Sequence, residues 1–575
     1  MTSLTKRLGR AVVVSVLAIA FLGVWLLRTS SGERILPSLI GHGPRPEVQL
    51  RQGTYVGNEI KKSFPQALEQ FLGIPYGQST AGERRFRAPL PIGASTQKFD
   101  AIEYGDRCPA GLPGQMSENC LYLNVWRPKE RPTEKKLPVL VHVYGGSFNF
   151  GFDRTRSVDN MVAWSTEPFI GVSFNYRVGA LGFLPSSLTA KVGLCNAGLK
   201  DQALLLEWVQ DNIAEFGGDP DDVTLMGSSA GAHSLGHHLM HNPTKRAPFH
   251  KLIIESGGPT ARVVYTASNP LHEQQFQEFI TELDCQDKDD SRLMHALRYL
   301  PSNDIQSASE SVFNTYNPSV RWPFQPVIDG QGGFIEQPPI SAFRDGKFHK
   351  VPILTGFNTN EGAAFTPTSI DTSENFTDFF RTLLPSLEDE DFTMLNELYP
   401  DPLEYGSSPY EETREGFGAQ FKRTEQAYGH FAYICPVRMT GHFASKDVPV
   451  YMYQFAVDST LKGADHGAQN PFSTYDRDTR EVSDTINEVA GSMHAYWTSF
   501  ITTGDPNKIK GRFPNRPDWP LYEPARGSGK KLVFGEGNDE IQGGKNVGVA
   551  VQVADDNSAW KDCAYWWDRT DLFEV

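Results

Sequence analysis

The sequence predicts an α/β fold, a mostly parallel central sheet covered by helices on both faces, and three observations lead there. Six short apolar runs, Leu137 to Tyr144, Phe169 to Asn175, Val223 to Met226, Lys251 to Glu255, Val351 to Thr355 and Val448 to Phe455, recur with helical stretches between them. Such runs read as strands buried on both faces, because a strand with one wet face would alternate polar and apolar residues. One connecting helix is explicit: between Gln202 and Phe216, the residues Leu205, Trp208, Val209, Ile213 and Phe216 share a face, and Gly217-Gly218 supplies the stop. Asp219-Pro220 reads as a turn, so the local order is helix, turn, strand, Gly227-Ser228-Ser229-Ala230-Gly231, and a further helical stretch from Ala232.

Large α/β sheets with long excursions can occupy 575 residues as one domain. We divide the chain into residues 1–35, a cytoplasmic stub with an export segment, a linker over 36–47, and a single α/β domain over 48–575. The balance of 54 basic against 69 acidic residues leaves a net charge of -15. No run of Lys and Arg follows the first ten residues, so nucleic-acid binding has no electrostatic footprint here.

The export segment is Ala11 to Leu27, seventeen uncharged residues preceded by Lys6, Arg7 and Arg10. That length can just span a bilayer, and the excess of basic residues before it places the N-terminus in the cytoplasm and the body in the lumen. We expect a retained single-pass anchor, with a cleaved signal peptide as the alternative. A secretory location suits Asn375-Phe376-Thr377, an acceptor for N-glycosylation, and permits one or two disulfides among six cysteines.

A Gly-x-Ser-x-Gly match is cheap in a chain with 52 glycines, and its placement between a strand and a helix is what gives it weight. A serine on that tight turn stands clear of the sheet edge, and the following helix aims its N-terminus and the Ala230 N–H at a reacting carbonyl. A second oxyanion donor should come from Tyr144-Gly145-Gly146-Ser147-Phe148 after the Leu137 strand, through the N–H groups of Gly146 and Ser147.

In this arrangement the order is serine, carboxylate, histidine. Glu361 leaves the Val351 strand in Gly356-Phe357-Asn358-Thr359-Asn360-Glu361-Gly362, where catalytic groups collect in open α/β sheets. Among His430, His442, His466 and His494 we select His466, in the glycine-flanked loop Gly463-Ala464-Asp465-His466-Gly467, because His494 sits in an apolar helical stretch.

From about Val48 to near the C-terminus the chain resembles the type-B carboxylesterase/lipase family, which has the α/β-hydrolase fold and includes cholinesterases and fungal esterases and lipases. The matching segments are Phe71 to Gly77, Glu118 to Val125, Asn175-Tyr176-Arg177, Asn212 to Pro220, the serine motif, Ser256-Gly257, Pro326 to Gly330 and Trp519-Pro520. The resemblance implies hydrolysis of small-molecule carboxylic esters without a cofactor, by the triad Ser229, Glu361 and His466 with oxyanion donors Gly146, Ser147 and Ala230. It further implies that Ser256 supports Glu361 and that Cys108 and Cys120 form a disulfide. Neuroligin-like relatives without chemistry, and acyltransferases or thioesterases with the same triad, are the rival readings.

Several positions depart from the family pattern. Ser228 stands where many relatives carry a glutamate, which argues against cationic substrates. Asn119 replaces an aspartate, and Ala296 stands where a second bridge often has a cysteine, leaving Cys285 free or otherwise paired. Only Pro109 to Asn119 separate Cys108 from Cys120, which implies an uncovered gorge suited to dissolved esters. His233, His237 and His241, four apart on a helix, read as ordinary helix-face histidines, and no metal is expected.

Overall fold

A computed structural model of the chain describes residues 45–573 apart from 62–63, 112–113, 405–407 and 525–528. Ala11 to Leu27, on which the anchor expectation rests, and most of the linker lie outside these residues. Among the described residues no helix is long and apolar enough to cross a membrane. Pro46–Val575 makes one continuous unit.

In chain order the strands are β1 (Glu47–Leu50), β2 (Gly53–Val56), β3 (Asn58–Ile60), β4 (Leu68–Pro75), β5 (Lys98–Asp100), β6 (Tyr122–Pro128), β7 (Leu137–Val143), β8 (Ile170–Phe174), β9 (Gly218–Ser228), β10 (Lys251–Glu255), β11 (Ile353–Asn358), β12 (Val450–Phe455), β13 (Lys530–Glu536) and β14 (Val549–Asp555). Eleven of them form one sheet in the order β14-β13-β12-β11-β10-β9-β7-β8-β6-β4-β3, and β1, β2 and β5 form a small second sheet. Every pairing from β8 through β7, β9, β10, β11 and β12 to β13 is parallel, with antiparallel strands added at both edges. The six apolar runs of the sequence are the strands β7 to β12.

Each of these strands is buried on both faces. Alternate residues feed two cores: Val139, Val141, Leu225, Leu252 and Ile254 join one, while Leu140, Met226, Ile253 and Leu354 join the other. The first is covered by the helices Ala197–Asn212 and Ala230–Met240, the second by the twenty-residue helix Asp484–Thr503.

Two local expectations need correction. The helix expected from Gln202 begins at Ala197, and its last turn tightens into the 3-10 segment Ile213–Phe216 before Gly217 ends it at φ 88°. Its first turn escapes an apolar-periodicity reading because it is fixed by polar contacts: Arg177 donates from Nε and Nη2 to the buried Asp201 carboxylate at 2.8 and 2.7 Å. Asp219-Pro220 does not turn the chain but extends β9, where the step Leu137 to Val139 faces the longer step Gly218 to Val223 as a bulge.

Cys108 and Cys120 form a disulfide, and a second joins Cys435 to Cys563, while Cys195 and Cys285 are free and buried. The second bridge links positions 128 apart in sequence, and closing a loop that long restricts the unfolded chain by roughly 4–5 kcal/mol in the chain-entropy picture. Replacing Cys435 and Cys563 together by serine should therefore lower the thermal unfolding midpoint by several degrees in circular dichroism. An unchanged midpoint would show that the bridge does not restrain the unfolded chain.

Candidate active site

The site forms where neighbouring parallel strands end at one edge of the sheet. β9 stops at Ser228 and the helix Ala230–Met240 starts at Ala230, leaving Ser229 between them at φ 60° and ψ -128°. A side chain in that region is strained by about 1–3 kcal/mol and persists because its surroundings leave no alternative. Its N–H donates to Glu255 O at 3.0 Å, and its carbonyl accepts from His233 N at 2.9 Å. The turn also demands glycine on two sides. A Cβ on Gly231 would lie 2.2 Å from Val143 O, and one on Gly145 would lie 2.5 Å from Ser228 O and 2.9 Å from Ser229 Cβ.

The loop after β7, the neighbour of β9, thus lies against the serine. Gly146 has φ 126° and Ser147 φ 56°. Gly146 O accepts from Asn149 N and Phe150 N, and Ser147 O accepts from the Asn149 and Gln325 side-chain amides, so carbonyls secure the loop. Among the described residues none accepts from the N–H of Gly146, Ser147 or Ala230.

The other two predicted residues leave β11 and β12. Glu361 is fully buried; its Oε1 accepts from Asn358 N at 2.7 Å and its Oε2 from His466 Nδ1 at 2.5 Å. With Nδ1 donating to a carboxylate, Nε2 of a neutral imidazole is the acceptor. That Nε2 is buried and has no partner. Such a ring can take a proton from a neighbouring hydroxyl while the carboxylate stabilises the resulting imidazolium. The imidazole lies against Tyr433 and Phe365, with centroids 4.3 and 5.0 Å away. Tyr433 belongs to a π-helical turn, His430–Ile434, a kink of the kind that often marks functional sites.

Sequence reasoning missed the residues that join these loops. Asn358, at the end of β11, donates from Nδ2 to Asp465 O and to Gln469 Oε1 at 2.7 and 2.8 Å, while its N–H holds Glu361. Gln469 in turn donates to Ser228 Oγ at 3.4 Å. The only signal was spacing, since Gln469 follows His466 by three residues. Asn360 exchanges hydrogen bonds with Ala464, N to O at 3.0 Å and Oδ1 from N at 3.2 Å, and donates to Glu425 at 3.0 Å.

Other residues singled out by the sequence have partners of their own. Among the described residues no hydrogen bond runs from Ser256 to Glu361, whose two oxygens are held by Asn358 and His466. His233 Nδ1 accepts from Gly258 N, and His241 Nδ1 lies 3.0 Å from Phe334 O, so these helix histidines face different neighbours. His494 is buried in its helix with Nε2 3.3 Å from Met161 O. Asn375 is exposed in the first turn of the helix Ser373–Leu383.

A model of the "Carboxylesterase family" matches residues 44–541. "Secreted lipase 4" of Gibberella zeae is 35% identical over 507 residues, covering 85% of this chain and 88% of its own. The acetylcholinesterase of Bungarus fasciatus is 30% identical over 527 residues, covering 85% and 83%. Among solved structures, Aspergillus niger EstA aligns with a TM-score of 0.78 at 27% identity, covering 93% of this chain and all of its own.

Glu425, fully buried beside these loops, has its carboxyl pushed up to about 7 by loss of solvent, against smaller opposing effects of Asn360, Arg414 and Lys422. The folded state thus holds a proton that the unfolded chain releases from about pH 4.5. Stability falls as pH rises between those values, by up to about 3 kcal/mol. Glu425→Gln should raise the unfolding midpoint relative to the parent at pH 8 and lose that advantage near pH 4.5. Parallel pH curves for the two proteins would refute this.

Proposed function

The chain belongs to the carboxylesterase family and is an ester-hydrolysing enzyme, and from that premise we propose that it works through Ser229, His466 and Glu361 by way of an acyl-enzyme. The observation that carries this reading is the His466 imidazole, its Nδ1 on a buried carboxylate and its Nε2 unpartnered. Ser229 Oγ gives its proton to Nε2 as it bonds to the ester carbonyl, and the oxyanion rests on the N–H groups of Gly146, Ser147 and Ala230. Collapse breaks the ester C–O bond, with the proton passing from His466 to the departing alcohol. Water then attacks the acyl-serine with His466 as base, releasing the acid and restoring the Ser229 hydroxyl. Glu361 keeps the imidazole in the required tautomer throughout.

Ser229→Ala should lower kcat on 4-nitrophenyl acetate by roughly 10⁴-fold or more while leaving the unfolding midpoint near that of the parent. A fluorophosphonate probe should label the parent and not the variant. An unlabelled parent chain would instead support a binding protein on this fold, and undiminished hydrolysis by the variant would remove Ser229 from the mechanism.

The same reading places the protein in the secretory pathway. Its two disulfides suit an oxidising compartment, the similar Gibberella zeae protein is named as secreted, and Asn375 presents an exposed side chain for glycosylation. Endoglycosidase treatment of protein from a eukaryotic host should increase its electrophoretic mobility, and Asn375→Gln should abolish that change; unaltered mobility of the parent would remove the glycan from this reading.

A further inference from the structure

Beside the loop that carries Gly146 and Ser147 lies a recess. Phe148, next to Ser147, and His233, one turn beyond Ser229, form the wall shared with the reacting centre, and Trp322, Phe431, Arg262 and Arg321 line the rest. The reacting residues themselves do not line it, but Trp322 packs on Phe365 and His233 on Tyr433, and both of those rings lie against the His466 imidazole, so the recess adjoins the site.

Its charge is one-sided. No Asp or Glu lines it, although acidic residues outnumber basic ones in the chain. Arg262 lies over the Trp322 ring at 3.7 Å and donates from Nη2 to Val320 O at 2.6 Å. It is held with φ 63°, a strained region for a residue with a side chain. Arg321 has its Nε buried without a partner. Neither guanidinium is in an ion pair among the described residues. The histidines of the recess add no positive charge near neutral pH. Burial holds His237 at about 3 and His272 at about 4, and pushes His233 well below its usual value, assisted by Arg262.

Arginines in partly buried surroundings are ordinarily matched by carboxylates, whose planar pair of oxygens fits the guanidinium fork. Here the protein supplies none. We propose that the missing carboxylate belongs to the substrate, so that this recess selects esters carrying a free carboxylate, such as half-esters of dicarboxylic acids. The inference rests on the esterase reading of Ser229 and deepens it by naming a substrate class.

The full chain is tested on two matched pairs, monoethyl adipate against diethyl adipate, and 6-acetoxyhexanoate against its methyl ester. The pairs place the carboxylate on the acid and the alcohol side of the scissile bond. In at least one pair, kcat/KM for the charged ester should exceed that of its neutral partner by about tenfold or more, chiefly through KM. Arg262→Gln and Arg321→Gln should each reduce that ratio, with Arg→Lys retaining part of it. In the parent chain, independent of any variant's folding, adipate should compete with 4-nitrophenyl acetate and hexylammonium should not. Equal or better turnover of the neutral ester in both pairs, or no competition by adipate, overturns the proposal while leaving the esterase reading standing. Failure to hydrolyse any of these esters, 4-nitrophenyl acetate included, overturns both.

Discussion

A carboxylate removed from water must be matched locally, and Glu361 is matched by one backbone N–H and one imidazole, with no arginine or lysine ion-paired to it among the described residues. Burying such a group without partners costs several kcal/mol, so the fold is bound to deliver both donors together. One comes from its own loop, since Asn358 N is three residues back. The other must come from β12, about a hundred residues later, which makes the β11 to β12 register a precondition of the site. That register runs from Ile353 opposite Val450 to Asn358 opposite Phe455. The Asn360–Ala464 exchange and the Asn358–Asp465 bond continue it past the ends of the strands. Without those contacts His466 would have no fixed distance from Glu361, and the imidazole would lose its tautomer.

The same edge explains why the serine turn and the glycine loop are inseparable. β7 and β9 are adjacent parallel strands, so their loops leave side by side, and only a glycine at 145 lets one pass the backbone of the other. Strain at Ser229 is tolerated because its N–H and carbonyl are both satisfied, by Glu255 O and His233 N. Glu255 is itself pinned by Arg156 at 2.5 Å and Trp497 at 2.9 Å. Polar contacts behind the sheet edge thus hold a backbone geometry that local preference opposes.

What could be read from the sequence follows from this division of labour. β7 to β12 are buried on both faces, so apolar runs reveal them. β14 carries exposed Val549 and Val553 at a sheet edge, and β13 begins with two lysines, so neither stands out from a loop. Ser229, Glu361 and His466 could be chosen because each sits in a short glycine-marked segment that follows a strand. Asn358 and Gln469 carry no such mark; their importance lies in hydrogen bonds between segments more than a hundred residues apart, which no local pattern encodes.

Charge around Ser229, the proposed nucleophile, gives the site its chemical direction. Ser228 and Gln469 pair as neutral groups beside Ser229, so no carboxylate there attracts a cation. On the far side of the oxyanion loop, Arg262 and Arg321 supply the only formal charges in the recess wall. A positive charge near a tetrahedral oxyanion would also lower its energy, but Arg262 is held over Trp322, whereas the proposed donors Gly146, Ser147 and Ala230 have no acceptor for their N–H groups among the described residues. On the proposed reading the arginines act on what binds and the loop acts on what reacts. In a protein of net charge -15, two unpaired cations in such a recess concentrate an otherwise unfavourable field for anions into one local exception.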